Sequence, residues 1–274
     1  MRIHIMSSSK ALLPLTSGLA TLLTLIFVSF AVQAQDSGQR GLDIAIERKQ
    51  RDVGWQDTVA DMTMVLRNSQ GQQSERKMRT KALEILDDGD KTLTIFDEPR
   101  DVKGTAFLNF SHAKVPDEQW IFLPALKRVK RISSRNKSGP FMGSEFAYED
   151  MTTFEIEKFA FQYVGDDVFR DRDMYIVEQY PADEFSGYTR QKVWIDKERY
   201  IPYKIEFYDR KNSLLKVLEF SEYKLYLGKY WRSLRAEMFN EQNGKSTELI
   251  THSIEFKTGL EDGDFDKNSL KRAR

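Results

Sequence analysis

The 274-residue sequence contains no cysteine. That absence excludes a disulfide framework, a thiolate metal site, a cysteine nucleophile and a lipid-anchored cysteine. Histidine is almost as scarce, with three residues in all, and His112 and His252 stand in no recognisable ligand spacing; no metal site is expected, and His252, in phase with Ile250 and Ile254, is read as a core imidazole. An excess of either charge is missing too, since 42 Lys+Arg face 42 Asp+Glu. A protein that neutralises nucleic-acid phosphate needs a basic surplus, so no nucleic-acid partner is expected. The chain has no Gly-x-Ser-x-Gly elbow and no phosphate loop. The pairs Asp166-Asp167 and Asp171/Asp173 read as solvated turns, or as weak calcium ligands. No catalytic constellation emerges, no cofactor is implied, and the chain is read as a non-enzyme.

Long apolar runs are confined to one place. Arg2 and Lys10 precede the run 11–32, and Val32-Gln33-Ala34 ends it with small residues. This layout is that of a signal peptide over 1–34 cleaved after Ala34, with export to a periplasm; the alternative is an uncleaved helix anchoring the chain to the inner membrane. Residues 35–274 carry no Pro/Gly/Ser-rich linker and no repeat, and are expected to form a single domain.

Period-two alternation dominates that domain. A helix is expected over 41–54, with Leu42, Ala45, Ile46 and Lys49 on one face. Eleven or twelve strands follow, joined by short turns such as Asp87-Asp88-Gly89-Asp90. The cleanest alternation sets Ile201, Tyr203, Ile205 and Phe207 against Pro202, Lys204, Glu206 and Tyr208. The interval 134–154 loses the pattern and predicts a short helix or lid, and near Asp264–Lys267 an aspartate is expected to cap a final helical turn. Charged residues such as Arg76, Lys192 and Glu206 on the second faces rule out an outer-membrane barrel, whose lipid-facing band is uncharged. The fold class is mainly β with a few helices: an antiparallel meander curled into a barrel or open half-barrel.

Between residues 141 and 265 stand 12 Phe, 11 Tyr and 2 Trp. They either pack the sheet against helices or line a lumen for an apolar ligand. The basic run Lys127, Arg128, Lys130 and Arg131 suits anionic headgroups or an acidic partner; the alternative is a solvated face balanced by Glu145, Glu149 and Asp150.

Three stretches carry a resemblance: Gln119-Trp120-Ile121-Phe122-Leu123-Pro124-Ala125-Leu126-Lys127-Arg128-Val129-Lys130-Arg131-Ile132, Phe141-Met142-Gly143-Ser144-Glu145-Phe146-Ala147-Tyr148-Glu149-Asp150, and Val193-Trp194-Ile195-Asp196 with Ile201-Pro202 and Lys204-Ile205. They resemble the outer-membrane lipoprotein-sorting (LolA-like) proteins, in the branch associated with resistance-nodulation-division-type exporters. The resemblance implies an unclosed β half-barrel with a helical lid, and a cavity that carries lipid or lipoprotein acyl chains across the periplasm, with peripheral membrane contact and an inner-membrane exporter as partner. On that reading Met62, Met64, Trp120, Phe122, Trp194, Ile205 and Phe207 line the cavity. Phe141 and Met142 form the lid, and Lys127, Arg128, Lys130 and Arg131 dock. A shift of one residue in strand phase would exchange Trp120 and Phe122 for Ile121 and Leu123. The alternative function is a periplasmic protein that senses lipid or peptide and reports to a partner.

Overall fold

Alternating side chains build strands here because one face of each can be buried while the other stays wet. In the computed structural model, residues 36–272 are described; the expected signal segment lies outside them. Helix α1 (36–51) leads into thirteen strands. They are β1 (Asp57–Arg67), β2 (Gln73–Leu83), β3 (Lys91–Glu98), β4 (Ala106–Phe110), β5 (Glu118–Leu123), β6 (Arg128–Ile132) and β7 (Phe159–Phe169), then β8 (Arg172–Pro181), β9 (Tyr188–Asp196), β10 (Pro202–Asp209), β11 (Leu214–Tyr226), β12 (Tyr230–Asn240) and β13 (Ser246–Phe256). Helix α2 (Lys267–Arg272) ends the fold, and Asp266 caps it by accepting the Ser269 N–H at 2.5 Å.

All thirteen strands form one antiparallel sheet in the order β6-β5-β4-β3-β2-β1-β13-β12-β11-β10-β9-β8-β7. Strands β6 and β7 are its two edges and do not pair, so the sheet is an unclosed half-barrel. The chain must nonetheless pass from one edge directly to the other, through residues 133–158. That is why the alternation fails there. The segment runs as four 3-10 turns, at Ser134–Asn136, Phe141–Gly143, Tyr148–Met151 and Ile156–Lys158, and packs across the inner face.

The inner face is the larger core. Met64, Met78, Phe96, Phe107 and Ile121 from one half of the sheet meet Phe161, Val177, Val193, Ile205, Phe207, Leu218 and Met238 from the other, with Ile44 and Ala45 of α1 and Phe141 and Phe146 of the crossing segment between them. The outer face carries two smaller clusters. Under α2 lie Leu93, Ile95, Leu108 and Trp120 with Phe265 and Leu270; on β8 to β10 lie Met174, Ile176, Trp194 and Tyr203.

Several expectations change. Trp120 and Phe122 belong to the outer cluster, and Ile121 and Leu123 to the inner one, so the phase of β5 is the shifted one. Trp194 likewise faces out between inward Val193 and Ile195, donating its Nε1–H to Asp167 at 2.9 Å. Tyr203 leaves the row of Ile205 and Phe207 because the β9–β10 register shifts between Pro202 and Lys204. His252 is exposed: the β1–β13 register shifts beside it, and its Nε2 meets the Thr63 hydroxyl at 2.8 Å. On α1 the buried stripe is Gly41, Ile44 and Ala45, so the inward face is rotated from the expected one and reaches Arg48 next. A Cβ on Gly41 would stand 2.8 Å from the Tyr163 amide nitrogen, which is how closely α1 lies on β7.

The Phe141–Asp150 stretch is readable residue by residue. Phe141, fully buried, sits edge-on to Phe107 (4.9 Å) and Tyr148 (5.6 Å). Met142 and Gly143 take positive φ, and the Ser144 hydroxyl donates to the Phe141 carbonyl at 2.6 Å to hold that turn. Glu149 accepts from Ser186 Oγ (2.8 Å) and Gly187 N (2.9 Å). Asp150 accepts from Tyr188 Oη (2.8 Å) and pairs with Lys216 Nζ at 2.6 Å, with side chains only 5% and 4% exposed. Lys216 also donates to the Glu145 carbonyl (2.8 Å), and Arg76 on the far half of the sheet donates to the Met142 carbonyl.

Such a pair costs more to break than to replace. Asp150→Ala is expected to destabilise by about 3–5 kcal/mol, because it strands a buried ammonium. Adding Lys216→Met should recover most of that loss. Chemical denaturation of the two variants checks it, and a double variant no more stable than Asp150→Ala would show that the loss is not electrostatic.

Candidate functional site

The size of inner-face side chains falls along β1, β2 and β3. Paired across those strands, the row Met62–Met78–Phe96 is bulky, Ala60–Thr80–Thr94 is smaller, and Thr58–Ala82–Thr92 is the last. Bulky rows pack against the crossing segment. Small ones cannot fill the space, and a cavity of about 490 Å³ remains at that end, within the range typical of small-molecule sites. Thr58, Ala82 and Thr92 form part of its wall, with Trp55, Ile85, Leu86, Phe154, Tyr200, Pro202, Phe220, Tyr223 and Trp231. Phe154, Tyr200 and Phe220 also pack on the inner core, so the cavity continues the concave face. Leu86 is 73% exposed at the β2–β3 connection and leaves apolar surface where the cavity meets solvent.

None of the sequence-predicted wall residues lines this cavity. Met62, Met64, Ile205 and Phe207 are on the expected inner face but in its filled part, while Trp120, Phe122 and Trp194 are on the other face. Phe141 and Met142 pack in or against the inner core as a fastened plug. The signal that could have located the hollow was the run of small residues at Thr58, Ala60, Thr80, Ala82, Thr92 and Thr94.

Charge in the cavity wall is uneven. Six basic side chains line it (Arg48, Lys49, Arg51, Arg199, Lys229 and Arg232) against three acids, Asp52, Glu84 and Asp90. Lys49 pairs with Glu155 (2.8 Å), Arg51 with Glu47 (2.6 Å) and Arg232 with Asp52 (2.6 Å). Glu84 caps the chain entering β1, accepting from Gly54 N (2.6 Å) and Gln56 N (2.8 Å). Asp90 is buried, and that burial pushes its carboxyl up to about 6 although it accepts the Ile85 N–H at 3.1 Å.

The basic run is on the surface. Lys127, Arg128, Lys130 and Arg131 are exposed on and beside edge strand β6. Arg131 meets Glu118 at 3.1 Å, and the other three form no ion pair among the described residues. Glu145, Glu149 and Asp150 do not balance them, since they are engaged by Asn240 (2.7 Å), Ser186 and Lys216. His112 is held by Asp88 at 2.6 Å, Asp166 by Lys197 at 2.8 Å, and no cluster of metal-ligating side chains occurs among the described residues.

Comparison with known proteins gives the same architecture. A family model carrying the description "uncharacterized protein" matches residues 88–272. A domain from Vibrio parahaemolyticus assigned to outer membrane lipoprotein sorting is 61% identical, covering 86% of this chain and 100% of its own, with a TM-score of 0.85. A DUF1329 family protein from Desulfovibrio piger is 27% identical over 85% of this chain and 99% of its own, TM-score 0.81. The LolA superfamily protein NE2245 from Nitrosomonas europaea, 20% identical over 85% and 99%, shares the fold at a TM-score of 0.66. No curated protein matches. With an open antiparallel half-barrel, a plugged inner face and a relative of that identity over its full length, the chain belongs to the family of that outer membrane lipoprotein-sorting domain and has the LolA-like fold.

Proposed function

We propose that the protein is a periplasmic carrier that holds an acyl chain in the cavity between α1, the crossing segment and the small-residue end of β1 to β3. The observation that carries this reading is the graded inner face, which leaves about 490 Å³ beside apolar and aromatic walls. Burial of each methylene there contributes about 0.8 kcal/mol, so a chain of modest length is retained without covalent chemistry. Release then needs a competing apolar environment, such as a membrane or a partner's own groove. The exposed cations of β6 suit the approach to an anionic surface, each adding about 1 kcal/mol. An inner-membrane exporter is the partner that the family branch suggests, and cleavage after Ala34 would free the carrier from its export segment. Binding, rather than catalysis, is the activity.

Mass spectrometry of organic extracts from protein purified out of its native envelope is expected to find near-stoichiometric lipid. Ala82→Trp, which fills the hollow, is expected to cut bound lipid at least fivefold with the fold retained. Lipid-free wild-type protein that also fails to take up a hydrophobic dye would refute the carrier reading. Reversing Lys127, Arg128 and Lys130 to Glu should slow transfer to anionic vesicles and remove its salt dependence; equal rates would dismiss β6 as the docking element.

Asp90 sets a pH dependence. Its pKa is raised from 3.8 to about 6 by burial, so the folded state holds a proton that the unfolded chain has released. The resulting stability is full below about 4 and is lost as pH rises through about 6, for a total on the order of 2–3 kcal/mol. Asp90→Asn should flatten that part of the pH–stability curve and stabilise the protein at pH 7, as read by denaturant midpoints; an unchanged slope would place the cost elsewhere.

A further inference from the structure

The inward stripe of α1 continues from Gly41, Ile44 and Ala45 to Arg48, one turn on and at the cavity wall. An apolar side chain is expected at that helical position. The Arg48 guanidinium instead lies over the Phe154 ring at 4.1 Å, and it makes no hydrogen bond or ion pair among the described residues. Desolvation pushes it down to about 10, partly offset by Tyr223 and Asp52, so it stays charged at neutral pH. Arg199, across the same cavity, stacks on Trp231 at 4.1 Å and has only a 3.4 Å contact to the Tyr203 hydroxyl. Among the arginines of this wall, Arg51 and Arg232 are neutralised by carboxylates. Arg48 and Arg199 are not.

A charge desolvated against aromatic rings with no carboxylate in direct contact is costly unless a ligand supplies the missing partner. A neutral chain would leave that cost in place. Guanidinium groups favour planar or tetrahedral oxyanions, to which they can donate two N–H bonds at once.

We infer that the ligand is an anionic amphiphile whose carboxylate or phosphate head binds Arg48, with Arg199 assisting, while its single acyl chain fills the apolar part of the cavity. This rests on the carrier reading and narrows it to a charged class of lipid.

Three probes of equal chain length separate head from tail: dodecanoate, dodecyl phosphate and dodecanol. Binding is followed by the fluorescence of the tryptophans, two of which, Trp55 and Trp231, line the cavity. At low salt at least one of the two anions is expected to bind tenfold or more tightly than dodecanol, and the one preferred tells carboxylate from phosphate as the source. Arg48→Gln should bring the anion-to-alcohol ratio below twofold, Arg48→Lys should keep part of it, and Arg199→Gln should reduce it. If dodecanol binds as well as both anions, or if the ratio survives Arg48→Gln, the headgroup inference falls while the carrier reading stands. If none of the three binds, both fall together.

Discussion

The structure depends on one topological constraint. A thirteen-stranded antiparallel sheet that does not close has two edges, and here those edges, β6 and β7, are consecutive in the chain. The intervening segment therefore has to cross the concave face, where its backbone groups lose water and need partners. The Phe141–Asp150 stretch meets that need with positive-φ turns, a serine closing its own loop, and the Asp150 carboxylate placed against donors from β9 and β11. Its aromatic rings replace the core that a second sheet would otherwise supply. Apolar filling and polar fastening thus come from the same ten residues, one alternating with the other.

Because the crossing segment fills only part of the concave face, the rest is decided by side-chain size. Along β1, β2 and β3 the inner rows shrink from Met62–Met78–Phe96 to Thr58–Ala82–Thr92. A hollow at the small end is stable only if the surrounding frame cannot collapse into it. Three neighbours supply that rigidity: Glu84 ties the entry to β1, α1 is fastened by Lys49 to Glu155, and Arg232 grips Asp52 at the end of the helix. The polar residues around the cavity are therefore mostly structural, which makes the two arginines without carboxylate partners stand out from them.

Much of the fold was legible in the sequence and some of the site was not, for reasons that can be named. The meander, the interruption after β6, and the aspartate cap of α2 follow from alternation and turn chemistry. What failed was phase. Trp120 and Trp194 sit in runs that are apolar on both faces, Trp120 because α2 covers its outer side and Trp194 because Met174, Ile176 and Tyr203 flank it on the outer face. A run buried on both sides carries no alternation from which to choose the inward residue. Tyr203 and His252 failed for a second reason, local register shifts, which displace a side chain without changing composition. The cavity itself was missed because large apolar residues were sought, whereas the space is made by small ones.

The two sheet edges are treated differently, and the difference bears on how cavity and surface are connected. Strand β7 lies under α1, whose approach is close enough to require Gly41 against the Tyr163 backbone. Strand β6 meets helix α2 through the outer cluster that includes Val129, and its exposed cations discourage edge-to-edge pairing with another chain. That role alone would explain lysine and arginine there, yet it does not require the strand to feed straight into the crossing segment. Residue 133 begins that segment, and 153 and 154 deliver it into the cavity wall, Phe154 lying beneath Arg48. The exposed edge and the unpaired guanidinium are thus joined by one continuous piece of chain, fastened midway by Asp150 and Lys216.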